Sequence, residues 1–340
     1  MSNSTALGAS YQINAKLLIQ FNTFILCGFV AVAGSIVILA VIMRTKSLHT
    51  KDFALLAALS GGDLAVGLGF LGIGSNSLVT VIQGTTVLPA TISSCLKRLY
   101  APVLAFGTQC SILMIAVIGL DRVLAVLAYK MYKGLGKKYA LLVSGAAYLI
   151  SIVSTLIGVY TGLQREAAGA MATEACVTND ALSVEYMTFR MIFQIVVGIV
   201  SILMYGIVIL GLFCKLQQTS GISGSELSRQ KKVTKTASII VGCTAVMVTI
   251  PAIAQAIAAQ GGPFGTYVFK HVAPFVSPLV PINSGINVFV YAAKYSKFRE
   301  AILRGCAVGP SELTSVERMG PNSTRKTSQY KNEQIVVVAA

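Results

Sequence analysis

The sequence predicts an all-α protein, a bundle of seven transmembrane helices with a short amphipathic helix on the inner membrane surface, and three observations carry that prediction. Apolar residues make up 55% of the 340 and charged residues only 11%, with a mean hydropathy of +0.75. A soluble domain carries roughly 25% charged residues, so water is the wrong solvent for most of this chain. Seven stretches are apolar over about 20 residues or more, the length of helix that crosses a bilayer core. The basic residues, finally, gather on alternate connections rather than on all of them.

The first stretch, Phe21 to Met43, follows a segment, 1–16, without the basic start and short apolar core of a cleaved signal, so that segment is expected to remain as an extracellular N-terminus. The second, Phe53 to Val81, and the third, Leu96 to Val126, are joined by short connections. A long outer loop, Leu163 to Glu185, follows the fourth stretch, Tyr139 to Gly162, and a Gly/Ser-rich inner loop, Gln217 to Arg229, follows the fifth, Thr188 to Leu216. The sixth, Val233 to Ala259, and the seventh, Tyr267 to Tyr291, complete a seven-transmembrane domain over 17–293. Over 294–305, Tyr295, Phe298 and Ile302 share one helical face with Lys294, Lys297 and Arg304 around them, the pattern of a helix lying on a membrane surface. Cys306 follows directly and is either a palmitoylation site or an unmodified thiol. The remainder, 306–340, is polar and rich in Ser, Thr and charge, and reads as a disordered cytoplasmic tail.

Orientation follows from Lys and Arg. Of the 27 in the chain, all but Lys16, Lys97, Arg98, Arg165, Arg190 and Lys270 fall on the side that carries the C-terminus. The positive-inside rule puts that side in the cytoplasm and the N-terminus outside. The net charge of +15 is thus a matter of topology and of contact with anionic membrane lipid. Nucleic acid is excluded as a partner, because the basic residues are scattered over loops between lipid-embedded helices. Asn3-Ser4-Thr5 is then a glycosylation sequon on the outer side, with Asn3 the acceptor. Of seven cysteines, only Cys95 and Cys176 share the oxidising side, while Cys27, Cys110 and Cys243 read as packing residues within apolar helices.

A polar group inside a membrane costs free energy and asks for a partner. Asp63, in Leu59-Ser60-Gly61-Gly62-Asp63-Leu64, is the one acid deep within an apolar stretch. Asp121-Arg122-Val123 stands at the inner end of the third stretch, and the seventh carries Asn283-Ser284-Gly285-Ile286-Asn287-Val288-Phe289-Val290-Tyr291, followed by Phe298-Arg299. Together these resemble the rhodopsin-like (class A) G-protein-coupled receptors over Gly34 to Arg299. Leu59 to Asp63 is similar to the second-helix acidic motif of that family, Asp121-Arg122-Val123 to Asp-Arg-Tyr, and Asn287 to Tyr291 to Asn-Pro-x-x-Tyr. Ser111, Tyr205 and Pro251 match its third-, fifth- and sixth-helix positions, and Cys95 with Cys176 its outer disulfide. Cys95 sits two residues earlier than the family spacing to Arg122, and Pro102 is expected to absorb the difference by distorting the helix.

Departures are equally informative. The chain has no Trp; Thr249 stands for the Trp before Pro251, Val123 for the motif Tyr, Val288 for the motif Pro, Ser35 for the first-helix Asn and Val197 for a fifth-helix Pro. Such drift is similar to the nematode serpentine chemoreceptors, the SX class among them.

The resemblance implies a receptor that turns binding of an extracellular ligand into activation of a heterotrimeric G protein at the plasma membrane. Asp121, Arg122, Tyr205, Asn287 and Tyr291 would act in activation, with Arg122 held at rest by Asp121 and no acid available at the inner end of the sixth helix, where Lys231 and Lys232 stand. Asp63, Ser111, Asn283, Ser284 and Asn287 would form an ion pocket, holding either sodium or a protonated Asp63 in a water cluster. Leu104 at the amine-pairing position and Pro281 at the retinal-lysine position argue against an amine ligand and an opsin. Asn76, Gln83, Leu104, Thr108, Gln109, Gln194, Gln255 and Tyr267 are the candidate ligand residues, for a small chemosensory molecule or a short peptide. Ser323, Thr324 and Arg325-Lys326-Thr327-Ser328 suggest a phosphorylated segment for an arrestin-like partner. The alternative from another class is a secondary transporter with Asp63 as the ion or proton carrier, opposed by the odd helix count and the lack of a second intramembrane acid. An enzyme is not expected: the two histidines, His49 and His271, fall on opposite sides, and no zinc-type cluster exists.

Overall fold

The computed structural model describes residues 3–86, 88–132, 134–218, 247–258 and 262–307. Its elements in chain order begin with α1 (Asn3–Arg44), a 3-10 turn (Lys46–Leu48), α2 (Lys51–Gln83), β1 (Pro89–Ala90), α3 (Ile92–Lys97), α4 (Tyr100–Leu127) and α5 (Tyr129–Tyr132). Then come α6 (Lys137–Ala167), β2 (Ala172–Thr173), α7 (Thr178–Ala181), α8 (Val184–Gln218), α9 (Met247–Ala258), α10 (Gly262–His271), α11 (Ala273–Val276), α12 (Leu279–Lys294) and α13 (Ser296–Ala307). Five of these, α1, α2, α4, α6 and α8, are long and apolar enough to cross a membrane.

Four of the boundaries that differ from the sequence expectation have a local reason. Helix α1 already begins at Asn3, since no proline stands between Ala6 and Leu18 and Gly8 alone costs only about 1 kcal/mol. The third stretch is divided: α3 ends at Lys97 and α4 starts at Tyr100, with Leu99 between them in the left-handed region at φ 62°. Pro102 therefore does not distort the helix. It sits in the first turn of α4, where its missing N–H has no partner to lose, and the helical bonding starts with Val103 N–H donating to Leu99 O at 2.9 Å. The seventh stretch is likewise broken, because Pro274 stands in the first turn of α11 and Pro278 immediately precedes α12, and neither can supply the N–H of a continuing helix. The outer loop is shorter than expected: α6 runs on to Ala167, and β2 pairs antiparallel with β1, Thr173 opposite Pro89 and Ala172 opposite Ala90.

Close helix contacts depend on small residues, as they do where lipid supplies no drive for helices to associate. A Cβ on Gly107 of α4 would come within 2.6 Å of the Val66 backbone nitrogen of α2, and one on Gly67 within 2.9 Å of the Val32 nitrogen of α1. Side chains on the outer face of α6, such as Leu142, Leu149 and Leu156, stay exposed, which suits lipid rather than water. One end of the bundle carries the Cys95–Cys176 disulfide and is called the disulfide end below; Arg122 marks the other. At the Arg122 end the chain leaves α12 through Tyr295, in extended backbone, and enters α13. Phe298 of α13 is fully buried there, edge-on to Tyr291 at 6.4 Å between ring centroids, and Tyr295 lies against Phe53 at 5.3 Å.

The inner loop beyond Gln218, the sixth stretch before Met247 and the tail with Ser323, Thr324, Thr327 and Ser328 lie outside the described residues.

Candidate functional site

Three polar layers are stacked along the bundle. In the middle, Asp63 on the buried face of α2 is 1% exposed. It faces Ser111 of α4 and, on α12, Ser284 and Asn287, which are three residues apart and so share one helical face. Ser111 Oγ donates to Asp63 Oδ1 at 3.0 Å, Ser284 Oγ to Oδ1 at 2.9 Å and Asn287 Nδ2 to Oδ2 at 2.7 Å. Three donors, one from α4 and two from α12, thus converge on one carboxylate. Asn283 is buried on α12 at 8% exposure, with no hydrogen bond to Asp63 among those described. Ser35, which stands for the family's first-helix Asn, is fully buried and its hydroxyl has no partner among the described residues.

At the Arg122 end the charged groups of α2 and α4 meet. Arg122 Nη2 lies 2.9 Å from Asp52 Oδ1 and Arg122 Nε 3.9 Å from Asp121 Oδ2. The tighter partner is thus Asp52, in the first turn of α2, and not the sequence neighbour Asp121. Geometry explains the preference: consecutive residues on a helix point about 100° apart, whereas Asp52 comes from a facing helix. Asp121 is fully buried and accepts instead from Tyr132 Oη at 3.0 Å; its Oδ1 has no partner among the described residues. Lys51 Nζ sits 3.1 Å above the Tyr132 ring centroid. Burial pushes the Tyr132 phenol up from its usual range, against the opposing effect of Arg122, so it remains a donor at neutral pH. Tyr205 of α8 packs over Gly119, one turn before Arg122 on α4, and Tyr291 is buried beside α13.

At the disulfide end Cys95 of α3 is bonded to Cys176, with Cα atoms 5.2 Å apart. Around the bond, Arg98 Nη2 pairs with Glu174 at 2.8 Å, and its Nη1 donates to Asn76 Oδ1 at 2.6 Å and to Glu174 O at 3.2 Å. The bonded Glu174 carboxylate pushes the Arg98 guanidinium up from its usual range. Asn76 spends its amide on the same segment, donating to Glu174 O at 3.1 Å and Ala175 O at 3.0 Å.

The other ligand candidates are dispersed. Gln109 is buried and joins three helices, donating to Ser154 of α6 at 2.9 Å and accepting from Tyr186 of α8 at 3.3 Å. Thr108 returns its hydroxyl to Leu104 O, and Leu104 is packed in the core. Gln194 is buried on α8, Gln255 half-buried on α9, and Gln83 exposed at the end of α2. Tyr267 is exposed on α10, its ring 4.8 Å from that of His271. A groove outside the bundle between α6 and α8, lined by Val153, Ile157, Tyr186 and Phe189, includes none of these candidates. Cys306 falls in the last turn of α13. Among the described residues no group of three or more His, Cys, Asp or Glu could hold a metal ion.

Sequence reasoning missed Asp52, Tyr132 and Arg190. An acid in the first turn of a helix is ordinary, so Asp52 gave no signal. Arg190 was counted among the outer boundary residues because its helix was expected to start at Thr188; α8 starts at Val184, which carries Arg190 inside the bundle at 6% exposure.

Residues 34–291 match a model of the family described as 7 transmembrane receptor (rhodopsin family). No curated protein matches the chain.

Proposed function

This chain belongs to the rhodopsin family of seven-transmembrane receptors, and from that premise we propose that it couples an extracellular ligand to a G protein through release of Arg122. It is a multi-pass membrane receptor and not an enzyme, and its family signals through G proteins in general. The observation that carries the reading is the Arg122 pairing with Asp52 across α2 and α4. A ligand acts only through different affinities for two states. In the resting state the guanidinium is held by Asp52; in the active state the helix ends part and it becomes free to meet the G protein and Tyr205.

The asymmetry of Lys and Arg supports the disulfide end as extracellular and the Arg122 end as cytoplasmic, in the plasma membrane. The ligand is a small chemosensory molecule or a short peptide, in keeping with the likeness to nematode serpentine chemoreceptors. Sodium at Asp63 is supported by the donor set: the Ser111 and Ser284 hydroxyls bond the carboxylate and keep lone pairs for a hard cation, although Asn287 presents its nitrogen to Asp63. When bound, sodium would neutralise the carboxylate and favour the resting packing of α2, α4 and α12. An arrestin-like partner at the tail is proposed from the hydroxyls near Arg325 and Lys326.

The test needs no ligand. Full-length receptor in nanodiscs is assayed for nucleotide exchange on a panel of heterotrimeric G proteins as wild type, Asp52→Asn and Asp52→Asn/Arg122→Ala. The single variant is expected to raise basal exchange and the double variant to abolish the rise; equal exchange by all three with every G protein refutes the proposal.

A further inference from the structure

Among the described residues Arg190 is a cation without an anion. It lies on the buried face of α8, 6% exposed, with Met187 and Met191 beside it and Gln194 one turn further on. Its Nε has no hydrogen-bond partner among the described residues, and its Nη1 reaches only the Met187 sulfur, at 3.8 Å. A thioether is a weak acceptor, whereas a guanidinium carries five N–H donors and a full charge. A charge taken out of water without a partner is costly, and a protein retains one only where something compensates it.

None of the acids among the described residues pairs with Arg190. Of the chain's twelve acids, only Glu166, Glu174, Asp180 and Glu185 belong to the disulfide end; the others are Asp63 and residues at the Arg122 end or in the segments that leave it. Glu166 accepts from the Ser93 hydroxyl at 2.9 Å, Glu174 is paired with Arg98 and Asp180 accepts from Thr173. Glu185 is exposed and borders the groove outside the bundle. Met187 and Met191 belong to one buried cluster with Tyr186 of α8 and with Ala101 and Ala105 of α4, and Ala256 of α9 packs against it.

We propose that Arg190 is the counter-ion of the ligand, and that the ligand is a small apolar molecule bearing one carboxylate. The flat guanidinium fork matches a carboxylate with two parallel hydrogen bonds, and the Met and Ala surroundings take the apolar body. This rests on the receptor reading above and selects an anion from the ligands it leaves open. It also fits Leu104 at the position where an amine-binding receptor needs an acid.

Thermal unfolding of the purified full-length receptor in nanodiscs tests it. Without ligand, Arg190→Met is expected to unfold about 2–4 °C higher than wild type, because an uncompensated charge has been removed; an unchanged or lower midpoint overturns the proposal. Wild type is then titrated with acetate, benzoate, octanoate and dodecanoate, each against its neutral amide. At least one acid is expected to stabilise at concentrations tenfold below its amide, with the preference reduced in Arg190→Lys and absent in Arg190→Met. If no acid outperforms its amide, or if Arg190→Met keeps the preference, the anion site is refuted. Neither measurement involves a G protein, so failure here and failure of coupling through Arg122 are read separately.

Discussion

At the disulfide end, the connection between α6 and α8 is fastened to α2 and α3 by a covalent bond, a two-residue ladder and the Arg98 contacts to Glu174 and Asn76. At the opposite end, α2 and α4 meet through Arg122, Asp52, Asp121 and Tyr132, groups that can exchange one partner for another. In the proposed coupling the first end keeps its shape while the second changes partners, with Arg122 leaving Asp52 for water or a charged partner. A receptor needs that division: a pocket shaped in advance and a far end whose packing is bistable.

The largest expected effect removes the fastening. Cys95→Ser/Cys176→Ser opens a bond across 81 residues of sequence, for which chain entropy gives about 4–5 kcal/mol. Thermal unfolding in nanodiscs should fall accordingly, and wild type with reductant should follow the variant. A midpoint unchanged by either treatment would mean that the ladder and Arg98 hold the loop by themselves.

Next in size is the exchangeable end. Asp52→Asn removes a charge-assisted hydrogen bond between two side chains that are each less than a fifth exposed, so the resting state should lose about 1.5–3 kcal/mol. Basal nucleotide exchange should then rise about tenfold or more if that bond exists only at rest. Tyr132→Phe takes the donor from Asp121, whose other oxygen already lacks a partner among the described residues, and should cost about 1–3 kcal/mol of stability. The pH dependence fixes the sign. Burial raises the phenol, so its contribution is fully present below its ordinary range near about pH 10 and is lost only as pH rises above that. Between pH 6 and pH 9, by experimental choice, wild type and Tyr132→Phe should keep a constant difference in unfolding midpoint; a difference that shrinks in this window would show that another group titrates there.

The smallest effect belongs to the layer between the two ends. Replacing choline by sodium should raise the wild-type midpoint by about 1 °C, equivalent to less than about 1 kcal/mol, and leave Asp63→Asn unmoved. Equal response in the two proteins would leave Asp63 a hydrogen-bonded acid without an ion.

How legible was this in the sequence? Asp63 stood out because an acid in an apolar run has few explanations, and the family resemblance added Ser111, Asn283, Ser284 and Asn287; the structure bonds Ser111, Ser284 and Asn287 to Asp63, with no Asn283 bond to it among those described. Asp52 did not, because an acid at a helix start already has a sufficient local reason to be there. Asn76 read as a pocket residue for the same cause that exposed Asp63, yet its amide serves the loop around Glu174. Polarity in an apolar helix shows that a partner exists and not which one. Arg190 was hidden by four residues of helix boundary: placed at an end, an arginine reaches water and needs no further account; placed one turn deeper, it asks for an anion. The break at Leu99 had no signature in residue type, since leucine is among the last residues expected at positive φ.

That break also bears on how such a chain can change over generations. In one continuous helix, inserting or deleting a residue turns everything beyond it by about 100°, which would rotate Ser111 off Asp63 and Arg122 off Asp52. With the helical register restarted at Leu99, a change of length between Thr91 and Arg98 stops at the joint. The cysteine anchor is free to drift along the sequence while the machinery below it keeps its bearings.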